Sequence, residues 1–281
     1  MKIAVLLATF NRREKTVSCL RNLFDQPLPA GVELEVFLTD DASSDGTQGS
    51  VKREFPLVNL FNGSGSLFWA GGMRNSWTEA KIYDFDFYLL LNDDTMLRHD
   101  AISTLVYHAN KSEKPAIYIG STADSSGKIS YGGHKLYSKS KVKSFNLYSE
   151  IESLECDLGN ANIMLVLREV VQSIGILSES YTHSIADFDY TLRAQKAGYK
   201  AIVLPGIMGY CIDDHGNNWK SAKVSLSDRI KYLKSPKGLA YDEYLYFIKQ
   251  HFPRHFPAAF TKLWLKTLFP GLWDRFKIHG A

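Results

Sequence analysis

The chain has 281 residues, 45% of them hydrophobic, and a formal net charge of +3. That length allows one large domain or two small ones, and the near-neutral balance excludes the basic footprint of a nucleic-acid binder. Cys19, Cys156 and Cys211 are dispersed and form no CxxC pair, which argues against a disulfide scaffold or zinc site and fits a reducing compartment.

Ile3–Thr9 is a continuous apolar run and predicts a first buried strand. The opening MKIAVLLATFNRR is too short in its apolar part, and lacks the small-residue cleavage site, for a signal peptide. After Asn11-Arg12-Arg13, the residues Val17, Leu20, Leu23 and Phe24 fall at helical spacing, and Pro27 and Pro29 end that helix. Glu33–Thr39 predicts a second strand, running into Asp40-Asp41-Ala42-Ser43-Ser44-Asp45-Gly46-Thr47. Strand, helix, strand with polar clusters at the strand ends is the βαβ unit of a parallel sheet.

The stretch NGSGSLFWAGG at Asn62–Gly72 precedes a predicted helix from Met73 through Ala80. Glycines before a helix let the backbone approach a phosphate, and the helix start favours anions. A plain glycine turn is the other reading. Phe68 and Trp69 form a sugar or base platform, or belong to the core. Phe87–Leu91 is a short buried strand that ends abruptly in Asn92, Asp93 and Asp94. Open α/β sheets bind ligands at the carboxyl ends of their strands. Adjacent carboxylates there suit a hard cation such as Mg²⁺ or Mn²⁺. A turn followed by a helix cap is the bland alternative.

Ala101–Ala109 reads as a helix and Ala116–Gly120 as a strand. Residues 121–153 change to Ser, Lys, Gly and Tyr, with a hairpin signal at Lys128–Tyr131. Leu158–Leu167 returns to apolar character, and Arg168–Ile174 reads as helix. In His183–Tyr199, Asp187 heads a helix that Gly198 stops. It is either a functional acid or a cap. Ala201–Leu204 is a further strand, and YCIDDHG at Tyr210–Gly216 brings His215 to another strand end.

Taken together these segments resemble glycosyltransferase family 2, with its GT-A fold, over about residues 1–220. ATFNR resembles the opening nucleotide-loop motif, and TDDASSDGT the second, whose Asp40 would contact the base. NGSGSLFWAGGMRN resembles the segment that passes the nucleotide sugar, and LLLNDDT the metal motif. NANIML resembles the acceptor-side segment, ADFDYTLRAQKAGYK the segment carrying the catalytic base, and His215 the late metal or diphosphate histidine. Asn92 replaces the usual first acid of the metal motif. Ala186 replaces a common Glu, and Ala161 a common Gly.

The resemblance implies an α/β catalytic domain at 1–220, with a mostly parallel sheet; beyond about Ser221 it fades, and Leu226–Leu233 and Tyr241–Gln250 read as helices of an extension at 221–281. It implies an inverting transferase that moves a hexose or deoxyhexose from a nucleoside-diphosphate sugar. The implied acceptor is a saccharide on a lipid-linked intermediate of bacterial O-antigen, capsule or other surface polysaccharide. Asp187 would be the base, and Asp94 and His215 would hold Mg or Mn, with Asp93 in reserve. Thr9, Asn11, Arg12, Asp40, Gly71, Gly72, Arg74, Asn92 and Asp93 would bind the nucleotide sugar. Trp69, Asn160 and Asn162 would face the acceptor. A sugar nucleotidyltransferase is the rival enzyme, but ATFNR leads directly into a helix and supplies no basic glycine-rich activating loop. A non-catalytic nucleotide- or glycan-binding protein is the other rival.

The last thirty residues hold Arg254, Lys262, Lys266, Arg275 and Lys277 against Asp274, so the basic excess lies in the tail. Phe260, Leu263, Trp264 and Leu268 fall on one helical face, with Trp273 and Phe276 beyond. Aromatic and basic residues on a short helix suggest an interfacial anchor; a helix pair packed on the domain, or a dimer contact, is the alternative. No apolar run approaches the roughly 20 residues that span a bilayer. A cytoplasmic protein is expected, peripheral on the cytoplasmic face of the inner membrane if residues 252–281 form the anchor.

Overall fold

The structure is a computed structural model and describes residues 1–112, 114–138, 142–211 and 224–271. A mixed sheet forms its centre, in the order β10 (Leu154–Cys156), β13 (Lys200–Tyr210), β6 (Ala116–Ala123), β12 (Ile163–Leu167), β4 (Phe87–Leu91), β1 (Lys2–Thr9), β2 (Glu33–Asp40), β3 (Asn59–Asn62). The strands β4, β1, β2 and β3 are mutually parallel, as are β6 and β13. The reversed strand β12 joins the two groups. Two short strands, β5 (Met96–Leu97) and β7 (Ile129–Tyr131), pair with β13 and β6. A second sheet of β11 (Leu158–Gly159), β8 (Gly133–Leu136) and β9 (Ser144–Leu147) stands beside it.

Parallel strands covered on both faces need apolar residues at successive positions. β1 is buried from Ile3 through Thr9, and β4 throughout. Alternate side chains then serve opposite layers. Ala4, Leu6, Tyr88 and Leu90 pack with Met73 and Trp77 of α3 (Phe68–Ala80) and Tyr190 of α6 (Ala186–Lys196). Val5, Leu7, Leu89 and Leu91 pack with Leu20 and Leu23 of α1 (Arg13–Phe24) and Leu105 of α4 (Ala101–Lys111). The helices α2 (Thr47–Glu54) and α5 (Arg168–Ile174) complete this part. The registers Thr9 to Asp40 and Leu6 to Leu90 bring the carboxyl ends of β1, β2 and β4 to one edge.

Among the element boundaries that differ from the sequence expectation, two have a clear physical cause. Helix α3 begins at Phe68 rather than Met73. Asp41, far away in sequence, accepts the N–H groups of Leu67 and Phe68 at 2.9 and 3.0 Å and so satisfies donors that a helix start leaves open. Strand β13 continues through Pro205-Gly206 to Tyr210, with register shifts between Val203 and Ile207 and between Ile207 and Gly209. A bulge is where a strand tolerates proline, and Gly206 takes the left-handed φ of 72° that this bend requires.

C-terminal to residue 224 come α7 (Leu226–Lys234), α8 (Tyr241–His251) and α9 (Phe256–Leu268). Leu233, Leu245, Phe247, Ile248, Phe252 and Leu263 join the same core as Tyr88 and Trp77. The apolar face expected on α9 is split. Leu263 is buried and the Trp264 indole donates to Tyr241 Oη at 3.0 Å, whereas Phe260, Leu265, Leu268 and Phe269 are exposed. Trp273 and Phe276 lie outside the described residues.

Candidate active site

One end of the candidate site is built from the loops after β1 and β2. Asn11 adopts a left-handed φ of 51°, which short amide side chains tolerate better than most. Its Oδ1 accepts Ser44 N–H at 2.8 Å while its own N–H donates to Ser43 Oγ at 2.8 Å. Asp40 is buried, with Oδ1 accepting Ser43 N–H at 3.0 Å. Thr9 Oγ1 pairs with Thr16 Oγ1 at 2.8 Å. The two loops are therefore stitched to each other before any ligand arrives.

At the end of β4, Asp93 is buried, and its Oδ2 accepts from Thr16 Oγ1 at 3.1 Å. Burial pushes its carboxyl up to about 6; Arg12 opposes this and Asp94 reinforces it. Asp94 meets Arg12 at 2.6 Å and Lys15 at 3.5 Å. Asn92 Oδ1 accepts the Trp69 indole N–H at 2.9 Å, and its N–H donates to Asn162 O at 3.1 Å.

The second acid lies at the start of α6. Ile185 precedes the helix with φ 72°, a strained conformation for a β-branched residue. The chain turns sharply there. Asp187 Oδ1 accepts Phe188 N–H at 2.9 Å, and Oδ2 accepts Ala161 N–H at 3.2 Å and Asn160 Nδ2 at 3.5 Å. Burial raises this carboxyl above its ordinary value, with these donors pulling the other way. Asp189, two residues on, points into the protein. It meets Arg193 at 2.8 Å, His251 at 2.8 Å and Tyr181 Oη at 3.2 Å.

The segment 160–162 touches both acid groups. Asn162 receives Asn92 and Ala161 donates to Asp187, so consecutive residues ahead of β12 fix the separation of the two clusters. Thr9, Asn11, Arg12, Asn92, Asp93, Asp94, Asn160, Asn162 and Asp187 are thus linked at one edge of the sheet.

Several expected site residues have other duties. Gly71 and Gly72 lie inside α3 and are buried, not in a phosphate-facing loop before it. A Cβ on Gly72 would come within 2.7 Å of Ala8 Cβ, so this glycine lets α3 pack against β1. Arg74 does not reach the acid pair; its Nη1 donates to Ser178 O at 2.8 Å and Tyr181 O at 2.6 Å, which pins the loop before α6. Trp69 is half-buried against the core rather than an open platform. His215 lies outside the described residues.

Sequence reasoning missed Asp41, Lys15, Thr16, Cys19 and Cys211. Cys19 Sγ donates to Asn92 O at 3.4 Å, and Cys211 Sγ to Asp94 Oδ1 at 3.5 Å. Burial, and Asp94 beside it, push the Cys211 thiol up to about 12. One available signal was the spacing of Arg12 and Lys15, which puts both cations at the first turn of α1.

Comparison with known proteins agrees with this architecture. The family model for glycosyl transferase family 2 matches residues 4–174. An uncharacterized glycosyltransferase of Mycoplasma pneumoniae, the MG060 homolog, is 29% identical over 118 residues, covering 40% of this chain and 38% of that protein. Similar solved structures include the mannosyltransferase PcManGT of Pyrobaculum calidifontis in complex with GDP-Man and Mn²⁺, with TM-score 0.58 at 16% identity, over 95% of this chain and 70% of that one. TarS of S. aureus in complex with UDP-GlcNAc gives TM-score 0.57 at 18% identity, over 92% and 73%. With the family model spanning most of its length and these neighbours sharing its GT-A fold, the chain belongs to glycosyl transferase family 2.

Proposed function

We propose that the protein is an inverting, cation-assisted glycosyltransferase that moves a hexose or deoxyhexose from a nucleoside-diphosphate sugar to a saccharide hydroxyl. The observation that carries this reading is the pair of acid clusters, Asp93–Asp94 and Asp187, held apart by residues 160–162. Inverting transfer needs two separate services. Charge must be neutralised on the departing diphosphate, and a proton must be taken from the attacking hydroxyl on the opposite face.

Asp187 supports the second service. Its two oxygens are fixed by main-chain and side-chain N–H groups, and its raised proton affinity suits an acceptor proton better than an ordinary surface carboxylate. Arg12 and Lys15 support the first service, because both stand at Asp94 and carry positive charge to the strand end.

The donor set also fits Mg²⁺ or Mn²⁺. Asp94 and Asp93 offer hard oxygen ligands on adjacent residues, although among the described residues no group of three or more His, Cys, Asp or Glu could hold a metal ion. Asp94 and Asp93 would hold the cation, and substrate phosphate would be needed to complete its oxygen ligands. When bound, the cation neutralises negative charge on the diphosphate. PcManGT and GalNAc-T7 have each been solved with Mn²⁺ and a nucleotide or nucleotide sugar, at 16% and 14% identity, which supports the same donor class here.

For the acceptor we propose a lipid-linked intermediate of bacterial surface polysaccharide, with the enzyme cytoplasmic and peripheral on the inner membrane. The support is the basic tail and the exposed Phe260, Leu265, Leu268 and Phe269 on and beside α9. No helix among the described residues is long and apolar enough to cross a membrane. The deciding experiment is a thermal-shift and donor-hydrolysis screen of UDP-, GDP- and dTDP-sugars with and without Mn²⁺. One donor should stabilise the protein more strongly with the cation than without it, and Asp94→Ala should erase that difference. No response to any nucleotide sugar would reject the reading.

A further inference from the structure

The carboxamide of Asn160 is locked in one orientation. Its Oδ1 accepts the backbone N–H of Gly132 at 3.3 Å, and a main-chain N–H only donates. The same oxygen lies 3.0 Å from His134 Nε2, which must therefore donate as well. With its oxygen engaged, Asn160 turns Nδ2 toward Asp187 Oδ2 at 3.5 Å. The main chain reinforces the arrangement, since Asn160 N–H donates to Gly132 O at 2.9 Å. Gly132 also packs closely on β6, where a Cβ would come within 2.9 Å of Ser121 Oγ. His134 sits in β8, paired with Asn146 of β9 and Leu158 of β11. Its ring stands edge-on to Phe188, with centroids 5.4 Å apart. Segments 132–134, 160–161 and 187–188 thus converge on one carboxylate.

Resting on the reading of Asp187 as the base, we propose that His134 is a positioning residue: it holds the Asn160 carboxamide so that one N–H stays aimed at the Asp187 carboxylate. Two consequences follow from the chemistry. The side chain of Asp187 loses rotational freedom, so the proton-accepting oxygen is presented in one place. The ionised form, which is the one that accepts a proton, gains a hydrogen bond against the burial that opposes it. Asp189 faces the other way, toward Arg193 and His251. His183, in the loop before α6, lies against Phe68.

The test uses the full chain with ¹³C-labelled aspartate. The Asp187 carboxyl resonance is identified by its loss in Asp187→Asn and followed against pH in wild type, His134→Ala and His134→Gln. Glutamine carries an amide nitrogen to about the place of Nε2 but does not titrate. His134→Ala should raise the Asp187 midpoint by about 0.5 pH unit or more, and His134→Gln should restore it. With the donor found by thermal shift, turnover in His134→Ala should fall about tenfold at unchanged donor KM, with recovery in His134→Gln. An unmoved midpoint in His134→Ala overturns the proposal, and so does an equal shift in both variants. If His134→Ala does not fold, Asn160→Ala removes the same donor and should give the same upward shift; an unmoved midpoint there also overturns it. The two readings fail separately. Near-wild-type turnover in Asp187→Asn rejects the base itself, and with it the role of His134. A dead Asp187→Asn with an unmoved His134→Ala midpoint rejects only His134.

Discussion

The two ends of the candidate site are held in different ways. Asp93 and Asp94 continue directly from a fully buried strand, and their cations, Arg12 and Lys15, come from the start of the helix after the neighbouring strand. Sheet register alone brings those pieces together. Asp187 depends instead on Gly132, His134, Asn160 and Ala161, and its helix is tied through Asp189 to His251, which is 62 positions further along. The Asp93–Asp94 end is held by the sheet and the helix that follows β1. The Asp187 end also draws on the second sheet and the C-terminal helices, and it is where distant changes should be felt.

The sharpest test of this contrast compares two acids on one helix. Asp187→Asn keeps shape and hydrogen bonding but takes no proton, and should lower turnover by about 10²–10⁴-fold with donor affinity little changed. Asp189→Asn should leave more activity and lose stability instead. If steady-state kinetics rank the two in reverse, the base has moved along the helix.

At the other end, Asp94→Ala should lower cation-dependent turnover by about 10²–10³-fold while circular dichroism and melting stay near wild type. Turnover that stays near the wild-type rate and remains sensitive to chelation would falsify the role given to Asp94.

The brace behind the base helix carries a pH signature. Despite burial, hydrogen bonds from His251 and Arg193 hold the Asp189 carboxyl below its ordinary value. A depressed folded value means that the stabilisation is complete above the usual unfolded value of about 3.9 and is lost as pH falls through the lower folded one. Asp189→Asn should cost about 2–3 kcal/mol at pH 7. That deficit should shrink in urea titrations below about pH 4. A deficit independent of pH would assign the loss to packing.

Smaller effects probe the layers beneath and outside the site. Gly72→Ala drives a methyl into Ala8 and should destabilise by about 1–2 kcal/mol, because backbone or strand must shift. Unchanged melting would mean that α3 slides freely on β1. On the surface, replacing Phe260 and Phe269 with Ser should weaken binding to anionic vesicles about tenfold without changing the melting temperature. Intact protein that ignores anionic lipid and salt would remove the membrane contact from the proposal.

Much of this molecule is written locally. Apolar runs at Ile3–Thr9 and Phe87–Leu91, bounded by polar clusters, point to buried strands, and both are strands in the fold. Their polar stops, Asn11-Arg12 and Asn92-Asp93-Asp94, mark the ligand edge without knowledge of the fold, because strand ends and side-chain type are properties of adjacent residues. The Asp189–Arg193 pair is local too, since a carboxylate four residues before an arginine meets it on a helix. Other features come from pairings that no local window contains. Asp41 moves the start of α3, Gly72 faces Ala8 rather than a phosphate, and Arg74 is spent on the carbonyls of Ser178 and Tyr181. His134 reaches the Asn160 carboxamide only because β8 is folded beside the segment ahead of β12. Sequence determines which side chains have the chemistry. Tertiary structure decides which of them it is spent on, because a donor or carboxylate is committed to whatever partner the packed chain brings within about 3 Å.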